Sequence, residues 1–201
     1  KNFVSELNSN LIRTVIQLGF PPLMILIYGI EKFGIWIFLI NIPYLISIFN
    51  INLNEASKIE MSIFYNKKDK QRLNEVFNNS IIVTIGVITS LLFILLIFLK
   101  FYNLDLKILE KISSDLNLIL TCIFLIFFIE ILNSIFLNSL SFFGRIDINN
   151  YLEIFFDFFS KFLIILSGML FGDLLSASIS FLIATLLKVL TFYVFFLKFN
   201  N

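Results

Sequence analysis

The sequence predicts an all-α protein, an integral membrane bundle of six transmembrane helices. Three observations carry that expectation. Hydrophobic residues make up 59% of the 201 residues and charged residues 14%, whereas a soluble domain carries about 25% charged residues. The apolar residues, with a mean hydropathy of +0.96, form runs near the roughly 20 residues a helix needs to cross a ~30 Å hydrocarbon core. Those runs are continuous, where the strands of a membrane barrel would alternate over segments of about 10 residues. A helix also satisfies its own backbone in lipid.

The first span is expected over residues 8–28, with Pro21 and Pro22 bending or breaking it because each lacks a backbone donor. A short link, 29–33, leads to the second span, 34–51. The stretch 52–73, NLNEASKIEMSIFYNKKDKQRL, follows as a polar loop. It holds Lys58, Lys67, Lys68, Lys70 and Arg72 against Glu55, Glu60 and Asp69. Within it, Leu53, Ala56, Ile59 and Ile63 recur at helical spacing, which suits either an interfacial amphipathic helix or a solvated loop that only sets topology. The third span is placed at 76–99, a polar connector at 101–115, and the remaining spans at 116–142, 148–171 and 174–197. The sequence reads as a fragment of a longer protein.

Basic residues in the loops set orientation. On one side lie Lys1, the five of the charged stretch, Arg145 and Lys198. On the other lie Lys32, Lys100, Lys107 and Lys111. The first side is expected in the cytoplasm, with both ends of the segment. The net charge of +1 gives no pointer to a nucleic-acid partner, and none is expected. There is one cysteine, Cys122, and no histidine, which removes the commonest metal ligand and general base. No phosphate-binding loop, nucleophile elbow or metal-ligand cluster is present in the sequence, so neither an enzyme site nor a cofactor is expected.

Ionisable residues inside a membrane are costly and mark function by default. Arg13 lies in the first span, where it either faces a cavity or snorkels to the headgroups. Glu130, Ser134, Asn138, Ser141 and Arg145 recur at steps of four, four, three and four, one face of the fourth span. That seam lines water or packs against a polar helix, and Glu130 near mid-span suits a coupling proton or sodium ion. Glu153, Asp157 and Lys161 share a face of the fifth span, where Asp157 and Lys161 can pair or serve proton coupling. Lys188, alone in the sixth span, either joins Arg13 at a cavity or pairs with Glu130. Gly168 and Gly172 form a small-x-x-x-small packing pair.

The link YGIEKFGIW (28–36), then SIFNINLNEASKIEMS (47–62) and NKKDKQRLNEVFNNSIIV (66–83), resemble the bacterial oligosaccharide flippases, the O-antigen and polysaccharide exporters of the MATE-like superfamily. Gly29 and Phe33-Gly34 match the family's turn after the first span. Ala56 and Lys68-Asp69 match its cytoplasmic helix and turn. Asn50 and Asn52 depart from the usual Asp and Gly, and the likeness covers about residues 11–83.

The resemblance implies the N-terminal six-span lobe of a two-lobed inner-membrane transporter. Its cargo would be a polyprenyl-diphosphate oligosaccharide, moved by alternating access, with a missing C-terminal lobe as partner. It implies Arg13, Arg145 and Lys188 as substrate-binding residues. Glu130, Ser134, Asn138, Asp157 and Lys161 would then line the cavity or couple an ion. The alternatives are a MATE-type ion-coupled exporter of drugs or metabolites and a non-transport membrane protein of glycan assembly.

Overall fold

The structure, a computed structural model, describes the backbone of residues 2–102, 115–142 and 146–200. It describes the side chains of residues 11–41, 56–87, 89–90, 93, 115–137 and 148–198. The described backbone forms six helices: α1 (Asn2–Tyr28), α2 (Ile30–Asn66), α3 (Lys70–Tyr102), α4 (Leu116–Phe142), α5 (Ile146–Phe171) and α6 (Leu174–Asn200). Four segments among the described residues are long and apolar enough to cross a membrane: Leu11–Tyr28, Leu116–Leu137, Ile148–Phe171 and Leu174–Lys198.

Two sequence expectations fail here. Of the two readings of 52–73 the loop fails and the helical spacing holds, because α2 runs unbroken through it to Asn66 and α3 starts at Lys70. Only Lys67–Asp69 turns the chain, with Lys68 at φ 57° and the Asp69 amide donating back to the Phe64 carbonyl at 3.0 Å. Lys, Glu, Ala and Met are good helix formers, so a polar sequence here does not end a helix. At ~1.5 Å per residue α2 is about 55 Å long. The second is a break at Pro21-Pro22, which does not occur, since α1 is one helix from Asn2 to Tyr28. Proline costs a helix one hydrogen bond, a loss that neighbouring groups in a membrane bundle can absorb.

The proposed apolar face of the charged stretch does not pack into the protein. Ile59 and Ile63 are 61% and 46% exposed, while Met61 on another face is fully buried; Leu53 has its side chain outside the described residues. Met61 meets Phe77, Ile135 and Phe196 in a cluster joining α2, α3, α4 and α6, with the Phe77 and Phe196 rings stacked at 4.5 Å. This is the hairpin end of the bundle.

The opposite end is a clasp. Tyr28, Trp36, Leu116, Ile119, Ile164 and Leu174 share a larger buried cluster drawn from α1, α2, α4, α5 and α6. The α1–α2 turn needs Gly29 at φ 83°, a value that favours glycine. The Tyr28 hydroxyl donates to the Ile164 carbonyl at 2.8 Å, and Lys32 Nζ donates to the Gly172 carbonyl at 2.8 Å. A Cβ on Gly168 would lie 2.5 Å from the Tyr28 ring, so that glycine admits the close crossing of α1 on α5. Gly172 does a different job, ending α5 at φ 70°. The expected glycine pair thus splits into one packing residue and one helix stop.

The outward faces are strongly apolar. Leu11, Val15, Leu18 and Leu26 of α1 are 62–81% exposed. Against water each would forfeit much of the ~1.5–3 kcal/mol gained by burying such a side chain; against hydrocarbon there is no such loss.

Candidate functional site

Four charged residues sit at one height in the bundle. Arg13 lies 15 positions before Tyr28, Glu130 lies 14 after Leu116, Asp157 lies 14 before Phe171, and Lys188 lies 14 after Leu174. All four reference positions belong to or adjoin the clasp. At ~1.5 Å per residue the charges therefore fall about 21–23 Å along their helices from it. Helical geometry thus gathers them into a layer, although they come from opposite ends of the sequence.

Within the layer every charge has a partner. Lys188 Nζ of α6 stands 3.0 Å from both carboxylate oxygens of Glu130 on α4. That is the second of the two arrangements expected for Lys188. Lys161 Nζ is 2.8 Å from Asp157 one turn earlier on α5, as the spacing predicted, and lies 5.9 Å from the centre of the Phe20 ring of α1. Arg13 forms an ion pair with Glu153, so α1 and α5 are tied by charge as well as by packing. These pairs lower the cost of holding six ionisable groups among apolar helices.

Glu130, Asp157 and Lys188 also meet across a cleft of about 150 Å³ between α4, α5 and α6, together with Ser160 and Thr185. Both hydroxyls donate within their own helices, to the carbonyls of Asp157 at 3.0 Å and Phe181 at 2.9 Å. Donation leaves the lone pairs of each oxygen able to accept. The cleft therefore presents two carboxylates, one ammonium and two hydroxyls. Chemically it can take up a proton or a small cation, or release Lys188 toward an anion when Glu130 is neutralised.

Arg13 is not among the cleft residues; its partner Glu153 faces α1. Ser134 Oγ donates back to the Ile131 carbonyl at 2.6 Å. The side chains of Asn138 and Ser141, and all of Arg145, lie outside the described residues. Two features were missed from sequence. Glu153 was placed with Asp157 and Lys161, but the parallel packing of α1 on α5 gives it to Arg13. Asn133, one position before the seam, is fully buried and has no hydrogen-bond partner for either amide atom. An Asn three residues after Glu130 was the available signal.

No known protein family, curated protein or solved structure matches the chain.

Proposed function

We propose that the chain is one lobe of a bacterial inner-membrane transporter that flips a polyprenyl-diphosphate oligosaccharide by alternating access. The observation that supports this reading most is the charged layer beside a polar cleft. Unpaired ionised groups cost about 2.5–3.5 kcal/mol each at a membrane helix centre on insertion scales, and apolar residues would pack this bundle without that cost. The cargo class rests on the resemblance of residues 11–83 to the flippases. In this reading α2 and α3 cross the bilayer too, making six spans, and the hairpin end faces the cytoplasm. A second lobe completes the pathway, since binding sites in repeat-built transporters lie at the repeat interface.

Each residue then has a role. A proton or sodium ion at Glu130 and Asp157 frees the Lys188 ammonium, which joins Arg13 and Arg145 in attracting the diphosphate. Coupling follows from the shared partner: ion and diphosphate stabilise the same rearrangement. Complete neutralisation of the layer also favours a second reading, a MATE-type ion-coupled exporter of a small organic cation or metabolite, because a paired site attracts a diphosphate weakly.

The test uses the full-length protein in its own cells. Glu130→Gln and Lys188→Gln are expected to abolish display of surface glycan while the lipid-linked precursor accumulates on the cytoplasmic leaflet. Normal glycan display after deletion of the gene, with increased sensitivity to exported drugs, would favour the second reading instead.

A further inference from the structure

A second polar cavity lies away from the charged layer. It is a notch of about 280 Å³ between α2 and α3 toward the hairpin turn. Glu60 and Asn79, both exposed, stand at its rim, and the buried Ser80 and Thr84 form its floor. Val76 and Val83 give it apolar walls, and no basic side chain lines it.

The polar groups of the notch are short of partners. Ser80, Ser160, Ser167, Ser178 and Thr185 are buried hydroxyls that each donate to a carbonyl of their own helix, the usual way a helical hydroxyl is satisfied. Thr84 is 2% exposed and, among the described residues, has no hydrogen-bond partner. Glu60 and Asn79 have no side-chain partner among the described residues either. Two cations of the hairpin tip are engaged elsewhere. Arg72 lies 3.7 Å from Asp69, and Arg72 and Lys67 stand over the Phe64 ring, one turn beyond Glu60, at 5.7 and 5.9 Å.

The donor set defines the ligand. A carboxylate, an amide oxygen and two hydroxyl oxygens can all accept. An ammonium brings a compensating charge and three donors with no acceptor, and a carbon stem behind it would cover the valine walls as a lysine stem covers apolar surface. A bare metal ion would leave those walls uncovered and most of the space empty, since at ~30 Å³ per water the notch has room for about nine.

We propose that the notch binds a primary ammonium group on a short apolar stem, carried by a water-borne alkylamine or by the ethanolamine headgroup of a lipid. Its N–H groups donate to the Glu60 carboxylate, the Asn79 amide oxygen and the Thr84 hydroxyl. Ser80 Oγ, which donates to the Val76 carbonyl at 2.7 Å, keeps its lone pairs for the same cation. The site is separate from the Glu130–Lys188 cleft and does not depend on the cargo proposed above.

Equilibrium dialysis of the full-length protein in detergent tests it, with radiolabelled n-butylamine at neutral pH as the probe. Binding should saturate, resist equimolar sodium chloride, and be competed poorly by tetramethylammonium, which has the charge but no N–H donor. Glu60→Gln should abolish binding. Thr84→Val should weaken it about tenfold or more, as expected for a lost hydrogen bond to a charged group, while Thr84→Ser should retain it. Tetramethylammonium competing as well as unlabelled butylamine, or binding that survives Glu60→Gln, overturns the proposal; the first of these needs no substitution, so it decides even if a variant fails to fold. Nanodiscs separate the two sources. Weaker butylamine binding in phosphatidylethanolamine than in phosphatidylcholine assigns the site to the headgroup, and equal binding in both assigns it to the free amine.

Discussion

Replacing Lys188 with Met tests whether the charged layer holds the bundle together. The substitution keeps a long apolar stem but leaves Glu130 facing the cleft without its cation. Breaking a buried pair by removing one partner costs about 3–5 kcal/mol. Here the Lys188 and Glu130 side chains are 17% and 34% exposed, so water or a proton compensates part of the loss and about 2–3 kcal/mol is expected. For a chain of this size that corresponds to a melting shift of about 5–10 °C downward. Trp36, the one tryptophan of the chain and 2% exposed, supplies the signal, since its fluorescence shifts when the clasp cluster opens in detergent or nanodiscs. The double variant Lys188→Met, Glu130→Gln removes both charges and should recover at least about 1 kcal/mol, within the coupling usual for contacting residues. Strictly additive losses, with no recovery, would show that the two side chains do not interact and would dissolve the layer.

Three further outcomes are expected. Gly168→Ala should destabilise by about 1–3 kcal/mol through overpacking against the Tyr28 ring, whereas Gly34→Ala, with nothing within 4 Å of the new methyl, should be neutral or stabilising; parallel thermal melts compare them. Cysteines at Lys68 and Glu31, both exposed and at opposite ends of α2, should label from opposite faces of the membrane, and same-side labelling would overturn a spanning α2. Replacing Lys67, Lys68 and Lys70 together with Gln should weaken binding of the hairpin tip to anionic vesicles by about 1 kcal/mol per residue, read by co-sedimentation at fixed salt; unchanged binding would mark the tip as solvated only.

Much of the architecture was legible without coordinates. Unbroken apolar runs of spanning length left the backbone no option but helix, so the segments 116–142 and 148–171 were placed almost to the residue. The pairing of Asp157 with Lys161 was equally local, because four residues along a helix bring side chains onto one face. Where the chain is polar the reading failed. Hydropathy falls where the charges begin, but a helix need not end there, and α2 carries on through them to Asn66. Tertiary packing decided the rest: whether Lys188 meets Glu130 or Arg13, whether Glu153 belongs to α5 or to Arg13 of α1, and whether Gly168 is packing or punctuation. Each depends on which helices lie side by side and in what register. A helix presents several faces of similar apolarity to its neighbours, so one-dimensional periodicity cannot choose among partners 58 to 140 residues away. Only packing surfaces that fit together select one.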